Sequence, residues 1–435
     1  MATQFSVQDG RKWQTPFFTI WGGQAFSLLG SQLVSFALIW HLTITTGSAT
    51  VLATASLVGM LPQVVLGPIV GTLVDRWNRR IVMIVADTII ALATVGLAIL
   101  FALDIVEIWQ IYTLMFIRSL AGGFHFPAMG ASTSLMVPKE NLIRMQGVNQ
   151  MLNGGLNIIS APLGAIMLEL LPMQGILAID VITAIAAIAP LFFIDVPQPE
   201  RIQNGDVGKI GQPSVWQDFK AGFRYVWTWP GLMIIGAMAV VINFLLTPAF
   251  SLLPLLVKDY FGGSAMQLGW VNAAVGIGVI LGGLTLSAWG GFKRQISTSL
   301  VGLTGMGIGT LLMSQAPPST LLLVISAAFI VGFMQPITDG PILAIMQTVV
   351  DPDMQGRVLT LLSSVAGAMA PIGLLIAGPL SDHVGIQTWF LLGGLICVLM
   401  GVAGFFIPAL MNIETDQAAS GKPEEEFVAK PGKGN

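Results

Sequence analysis

The sequence GTLVDRWNRR, residues 71–80, separates two apolar stretches and decides the fold class. Residues 51–70 before it contain no charged side chain, and residues 81–101 after it contain one acid and no base. A helix needs about 20 apolar residues to cross the hydrocarbon core of a bilayer. The sequence therefore predicts two membrane-spanning helices joined by a short loop that carries three arginines.

Composition extends this prediction to the whole chain. Of its 435 residues 54% are apolar and 9% are charged, whereas about a quarter of the residues of a soluble domain carry charge. A net charge of −3 excludes the basic face that nucleic-acid binding requires. The single cysteine, Cys397, excludes an internal disulfide, and the polar segment 1–12 predicts that no signal peptide is removed.

Twelve charge-poor windows are long enough to span a membrane, which predicts an all-α membrane protein with twelve transmembrane helices. The windows are 17–40, 51–74, 81–101, 108–130, 145–168, 173–194, 231–257, 265–289, 296–314, 321–346, 358–380 and 388–410.

The basic residues predict the orientation of these spans. With the N-terminus inside, 17 of the 19 lysines and arginines fall on the cytoplasmic side, as short basic loops do. Lys258 lies outside and Arg118 lies within a span. We therefore expect a multi-pass protein of the cell (inner) membrane with both termini cytoplasmic.

The longest polar interruption splits the spans six and six and defines four regions. Residues 1–194 form an N-terminal six-helix bundle, 195–229 a cytoplasmic linker, 230–411 a C-terminal six-helix bundle and 412–435 a disordered cytoplasmic tail. Within the linker, apolar residues at helical spacing predict an amphipathic helix. It either lies on the inner membrane surface or packs on neighbouring loops.

The two halves are related in sequence. A shift of 209 residues aligns 123–164 with 332–373 without a gap and gives ten identities in 42 positions. Because six spans separate the copies, both have the same orientation in the membrane. The halves are therefore predicted to be parallel six-helix repeats about an axis along the membrane normal.

The run at 71–80 resembles the Gly-x-Leu-x-Asp-Arg-x-Gly-Arg-Arg motif of the major facilitator superfamily, with Asn78 at the family's second glycine; an asparagine there also tolerates a positive φ. The resemblance implies a major facilitator fold and is closest in pattern to bacterial drug, macrolide-efflux and enterobactin-exporter members. It also implies a conformational gate formed by Gly71, Asp75, Arg76, Arg79 and Arg80. Leu114-x-x-x-Arg118-x-x-Ala-Gly122 is similar to a motif of proton-coupled members.

A charge in the middle of a span needs a partner, so Arg118 is expected to face the bundle interior beside an acid. The candidates are Asp87, Asp180 and Asp339. Arg118 either tunes a proton-carrying acid or forms a permanent structural ion pair. Asp180 is the preferred proton carrier, Asp87 is expected in a charge network near the basic loop, and Asp339 is expected to cap a helix broken at Gly340-Pro341.

Uncharged polar residues in the spans predict a substrate cavity. The fifth span carries amides at spacings of three and four, which suit either a cavity wall or helix–helix contact. His125 is either a titrating group or a packed neutral histidine. The predicted cavity residues are Gln24, Gly122, Phe126, Asn149, Asn153, Asn243, Asn272 and Gln335.

These observations predict a secondary active transporter that exports amphipathic small molecules by alternating access, driven by a proton gradient. The sequence has no nucleotide-binding loop, metalloprotease motif or serine elbow, so no enzyme activity, cofactor or metal is expected. We expect a monomer whose partners are a small-molecule substrate and the lipid bilayer. An importer or facilitator of a polar metabolite, and a non-transporting membrane sensor or scaffold, stay open as alternatives.

Overall fold

A computed structural model describes residues 13–198 and 215–414, and in these residues all regular structure is helical. Twelve long helices occupy the twelve predicted windows: α1 (Gln14–Thr46), α2 (Ala49–Arg76), α3 (Arg79–Ala102), α4 (Ile108–Met136), α5 (Leu142–Leu170), α6 (Met173–Phe193), α8 (Pro230–Ser251), α10 (Ala265–Trp289), α11 (Gln295–Gln315), α12 (Leu321–Val349), α13 (Pro352–Val384) and α14 (Ile386–Gly404). Shorter helices are α7 (Val215–Thr228), α9 (Leu253–Leu255) and α15 (Pro408–Met411).

Eleven of the described helices are long and apolar enough to cross a membrane. The exception among the twelve is α4, which is 29 residues long but more polar. It carries Arg118 and His125, whose side chains are enclosed by other helices. The mean hydropathy of α4 is therefore lowered by polar side chains that face the interior of the bundle.

The seventh span differs from its predicted window. Helix α8 ends at Ser251, and the chain continues through α9 and a π turn, Leu256–Tyr260. Pro254 lies in the first turn of α9 and has no backbone N–H to continue the hydrogen bonding of α8. The regular α-helix therefore ends before the predicted window, 231–257, does.

Each half is a bundle, and the two bundles repeat the same packing. Helix α1 packs on α5 and α6, and α8 packs on α13 and α14. A Cβ added at Gly164 would lie 2.8 Å from Phe36, and one added at Gly373 would lie 2.2 Å from the carbonyl oxygen of Phe244. The repeated glycines thus allow equivalent helix pairs, α1–α5 and α8–α13, to approach closely.

The halves meet chiefly through two helix pairs, α2–α13 and α5–α10, with smaller contacts between α1 and α9 and between α2 and α8. The contacts lie toward one end of the bundle: a Cβ added at Gly378 would be 2.9 Å from the Cα of Thr50, and one at Gly269 would be 3.0 Å from the Cα of Pro162. We call this end the Ser48 side, because Ser48 connects α1 to α2 there. Its connections are 47–48, 103–107, 171–172, 252–264, 316–320 and 385.

The opposite end, the Arg79 side, holds the connections 77–78, 137–141, 290–294 and 350–351, together with the described parts of the linker, 194–198 and 215–229. On this side, a Cβ added at Gly71 of α2 or at Gly356 of α13 would have no described heavy atom of another element within 4 Å. Met151 on α5 is 79% exposed. Within the described residues, the bundles are therefore in contact at the Ser48 side and apart at the Arg79 side.

Helix α7 of the linker packs on the C-terminal half. The hydroxyl of Tyr225 donates to Asp351 Oδ2 at 3.2 Å, and a Cβ added at Gly222 would lie 3.1 Å from the carbonyl oxygen of Arg357. Phe223 and Trp227 are exposed on another face of α7 and stack with ring centroids 5.5 Å apart. One face of the helix thus contacts α13, and an aromatic face remains open.

The other parts of the predicted linker and tail fall largely on undescribed residues. Residues 199–214 of the linker and 415–435 of the tail lie outside the described ranges. The first residues of the predicted tail are packed, since Ile413 is buried and Glu414 Oε1 accepts the backbone N–H of Ile296 at 2.8 Å. The packed chain therefore continues past residue 411.

Candidate functional site

Polar residues seven apart on three helices create the candidate site. The pairs are Gln24 and Ser31 on α1, Asp87 and Thr94 on α3, and Arg118 and His125 on α4. Seven residues are two helical turns, or about 10 Å, so both members of a pair share one face of their helix. The six side chains form two layers in the N-terminal half.

The layer nearer the Ser48 side, the ion-pair layer, contains Ser31, Thr94, Arg118 and Asp180. Arg118 Nη1 lies 2.6 Å from Asp180 Oδ2, which also accepts the Thr94 hydroxyl at 2.7 Å. Ser31 Oγ donates to Asp180 Oδ1 at 3.0 Å. Of the three acids predicted as partners, the structure pairs Arg118 with Asp180.

The ion-pair layer is deeply enclosed. Asp180 is 0% exposed, and the side chain of Arg118 is 9% exposed. Removing two charges from water is costly, and the hydrogen bonds that Ser31 and Thr94 donate to the carboxylate offset part of this cost. The absence of a side chain at Gly30 allows α1 to lie close to α6 beside Asp180. A Cβ at Gly30 would lie 2.4 Å from Thr183 Oγ1 and 3.2 Å from Asp180 Oδ1.

The layer nearer the Arg79 side, the histidine layer, contains Gln24, Asp87 and His125, all buried. Gln24 Nε2 donates to Asp87 Oδ2 at 2.9 Å, and Gln24 Oε1 lies 2.8 Å from His125 Nε2. His125 Nε2 is also 3.3 Å from Asp87 Oδ1. Asp87 therefore belongs to a buried network, as expected, but its printed partners are Gln24 on α1 and His125 on α4 and not the arginines of the basic loop.

A cavity of about 290 Å³ in the N-terminal half touches both layers. It is lined by Gln24, Gly122, Phe126 and Asn153 among the predicted cavity residues. Asn149, one turn from Asn153, instead accepts the Trp21 indole N–H at 2.8 Å and does not line this cavity. The amide stripe of α5 therefore serves both the cavity and a helix–helix contact.

A second cavity of about 370 Å³ lies in the C-terminal half and is lined by Asn243 and Asp339. Gln335, one turn before Asp339, is exposed and lies outside the described cavity lining. Asn272 is also outside it, since its side chain donates to the carbonyl oxygen of Leu268 on α10, which packs on α5. The predicted cavity role of these two residues is not seen in this conformation.

The prediction that Asp339 caps a broken helix is wrong. Helix α12 runs without a break from Leu321 to Val349 and contains both Pro336 and Pro341. Asp339 therefore projects from the middle of a continuous helix.

The predicted gate lies at the Arg79 side. Gly71 and Arg76 are exposed, and the side chain of Asp75 lies outside the described part of the structure. Arg79 is buried and donates to the carbonyl oxygen of Ala131 at 2.9 Å. Arg80 contacts Asp195 and the end of α6.

Asn78 has a different role from the one predicted. Its φ is −70°, and its side chain accepts the N–H of Ile81 at 3.3 Å, so it caps the N-terminus of α3. Asparagine is a preferred residue at this position. The departure from the family glycine is explained by helix capping and not by a positive φ.

Asp382, at the end of α13, joins the two halves at the Ser48 side and was not among the predicted residues. Its carboxylate accepts the Ala49 N–H at 2.6 Å, the Thr50 N–H at 3.1 Å, the Thr50 hydroxyl at 2.6 Å and the Ser48 hydroxyl at 3.1 Å. It therefore caps the N-terminus of α2 from the opposite half.

Electrostatics at Asp382 favour the charged form. Partial burial disfavours ionisation, but the hydrogen bonds from Thr50, Ala49 and Ser48 outweigh it and lower the pKa of Asp382. Its position in the sequence could have indicated this residue, because Asp382 comes just after the eleventh predicted span, as Asp75 comes just after the second. Ser31 and Thr94 were also missed, although each lies seven residues from a predicted residue.

The described residues contain no group of three or more His, Cys, Asp or Glu side chains that could hold a metal ion. What the site offers chemically is two enclosed carboxylates, one guanidinium and one imidazole. The carboxylates and the imidazole can bind and release protons, and the guanidinium stays charged and can hold an anionic group.

Comparisons with known proteins place this arrangement in a family. The family described as transmembrane secretion effector matches residues 13–434. Macrolide efflux protein A of Streptococcus pyogenes is 32% identical over 397 residues, which cover 91% of this chain and 96% of the relative. Multidrug efflux pump Tap of Mycolicibacterium fortuitum is 28% identical over 400 residues, covering 88% of this chain and 94% of the relative.

Solved structures share the fold. The xylose transporter XylE from E. coli, in an inward open conformation, superposes with a TM-score of 0.64 at 12% identity and covers 88% of this chain and 95% of its own. Nucleoside transporter NupG superposes with a TM-score of 0.60 at 14% identity, covering 88% of this chain and 97% of its own. The chain belongs to the transmembrane secretion effector family of the major facilitator superfamily, and it is a multi-pass membrane transporter and not an enzyme.

Proposed function

We propose that this transporter exports amphipathic small molecules by alternating access and uses proton influx as its energy source. The observation that carries the proposal is the packing of the halves. They touch at one side of the membrane and diverge at the other, beside two enclosed layers of titratable groups. If the contact between the two bundles closes at one side of the membrane at a time, the cavities become accessible from each side in turn, as alternating access requires.

The orientation follows from the basic loops. If the Arg79 side is cytoplasmic, both termini are cytoplasmic and the present conformation is open to the inside. Substrate would then enter the cavities from the cytoplasm, while Asp382 holds the outer ends of α2 and α13 together. Release of Asp382 would open the outer side. The gate at 71–80 would close the inner side, with Asp75 bonding to the opposite half in the outward-open state.

Proton exchange is proposed at the two layers. Asp180 holds Arg118 by charge, so protonation of Asp180 would release the guanidinium and remove the ion pair that links α4 to α6. His125 and Asp87 lie one layer closer to the cytoplasm and would pass the proton onward. Asp339, predicted for the same task, lies in the other half and outside both layers.

Two observations support export over import of a polar metabolite. The relatives that cover nearly the whole chain are named as efflux proteins. The C-terminal cavity has mainly aliphatic walls, and such walls suit the apolar body of an amphipathic compound better than a sugar or a nucleoside.

The test is transport by inside-out vesicles under an imposed pH gradient, with a panel of amphipathic drugs. We expect accumulation of at least one drug that collapses when the gradient is dissipated. Asp180→Asn should abolish accumulation, whereas Asp104→Asn, on an exposed loop, should not. Accumulation that survives dissipation of the proton gradient, or uptake of polar metabolites alone, would contradict the proposal.

A further inference from the structure

We propose that the C-terminal cavity is a binding site for organic cations, with Asp339 as the counterion for a positively charged nitrogen. This inference rests on the proposed function and names the substrate class that the cavity selects. The occupant is an amphipathic compound with an apolar body and one cationic group.

The composition of the cavity carries the first step. Its wall is mostly aliphatic and includes Ile235, Ile242, Leu303, Ile342 and Leu362. Asp339 is the one residue with a formal charge in the described lining, and the side chain is accessible from the cavity. The volume of about 370 Å³ lies within the range of pockets for drug-sized ligands.

The second step is that the polar neighbours do not neutralise this carboxylate. The Ser299 hydroxyl donates to the carbonyl oxygen of Thr338. Thr338 Oγ1 donates to Met334, and Asn243 Nδ2 donates to the carbonyl oxygen of Ala239 at 2.9 Å. Backbone carbonyl oxygens accept the hydrogen bonds of these donors. Asp339 is hydrogen-bonded by the side chain of Gln335, which is an uncharged amide.

The third step compares the two halves. In the N-terminal half each enclosed carboxylate has a basic partner, Arg118 for Asp180 and His125 for Asp87. The C-terminal cavity supplies no equivalent base among its described residues. A carboxylate among apolar walls is stabilised by a cation, and an organic ammonium supplies the charge together with an apolar body that fits the walls.

The experiment measures binding of matched probes to the purified full-length protein. The cations are ethidium, tetraphenylphosphonium and rhodamine 6G, and the uncharged amphiphile is chloramphenicol. We expect Asp339→Asn to weaken cation binding about 10- to 100-fold, the effect of losing a charged partner. Chloramphenicol binding should change less than about threefold.

Two further variants keep the result interpretable. Leu343 lines the same cavity one turn after Asp339, so Leu343→Lys places an internal cation at the favourable i, i+4 spacing and should also abolish cation binding. Asp104→Asn removes an exposed acid from a connection of the N-terminal half, outside this cavity, and should bind like the wild type. The Lys variant gives an answer even where Asp339→Asn does not fold.

Three outcomes would overturn the inference: wild-type protein that binds none of the cations, equal loss of charged and uncharged probes, or unchanged cation binding in both charge variants. Gradient-driven export of chloramphenicol by the wild type would leave the proposed function intact in each case. Failure of all gradient-driven export would instead overturn the proposed function.

Discussion

The contact between Asp382 and the N-terminus of α2 gives the most direct prediction about conformation. Asp382→Asn removes the charge but keeps the shape of the side chain. Replacing a helix cap costs about 1 kcal/mol, and charge-assisted bonds are roughly twice as strong as neutral ones. Because Asp382 is exposed, solvent screening reduces this gain. We expect the variant to lose about 1–2 kcal/mol of preference for the present conformation, a shift of about 5- to 30-fold.

The shift can be measured as a distance across the Arg79 side. Cys397 is the only cysteine of the chain and is buried, so a Cys397→Ser background allows two labels to be placed freely. Spin labels at Gln150 and Lys293, both exposed and on opposite halves, should report a larger population of short distances in Asp382→Asn. Electron–electron resonance in liposomes measures that population.

The control is Asp104→Asn, which removes an acid from the same side of the membrane away from the seam. Its distance distribution should match that of the unmodified background. An unchanged distribution in Asp382→Asn would refute the capping argument. The lowered pKa sets the pH window: the stabilisation is present above the ordinary carboxyl range and is lost as pH falls through the lowered pKa of Asp382. Between pH 5 and pH 8 Asp382 should therefore stay ionised, and its titration should not change the distance distribution.

Three other predictions concern the interior. Asp180→Asn leaves Arg118 without its charge partner and should lower the melting temperature, by a loss of about 3–5 kcal/mol; the double replacement of both residues by leucine should recover stability but not transport, and recovered transport would mark the pair as purely structural. Asp87→Asn keeps the size of the side chain but removes its charge, so we expect the protein to fold and gradient-driven drug accumulation to be lost; wild-type accumulation would exclude this acid from proton exchange. Gly332→Ala places a Cβ 2.1 Å from a carbonyl oxygen of α10 and should destabilise the protein by about 1–3 kcal/mol, whereas Gly123→Ala, its repeat counterpart with no contact nearer than 3.8 Å, should be neutral in thermal unfolding.

The fold was predictable because lipid imposes a simple constraint on sequence. Each span must be apolar over a fixed length, and basic residues mark the connections, so all twelve windows contain a long helix. The ends of spans were less predictable. The end of α8 at Ser251 depends on local proline geometry, which a hydropathy window averages away.

The site was only partly predictable, for a geometric reason. A buried arginine indicates that an acid lies nearby. Which acid it is, Asp87, Asp180 or Asp339, depends on how the four helices that carry these residues are rotated against one another. Sequence spacing fixes the relation of residues within a helix but not between helices. Asp382 was missed because it lies beyond its span, where acids are common and only the approach of α2 gives it a partner.

If protons take the proposed route through the two layers of the N-terminal half, transport also depends on the membrane potential. They lie about 10 Å apart along the membrane normal, a third of a hydrocarbon core of about 30 Å. One elementary charge moved through the full core exchanges about 2.3 kcal/mol with each 100 mV of membrane potential. On the proposed route and orientation, a proton that moved from Asp180 to Asp87 would release about 0.8 kcal/mol per 100 mV of inside-negative potential. Cells could thus drive the cycle electrically even when the pH is equal on both faces.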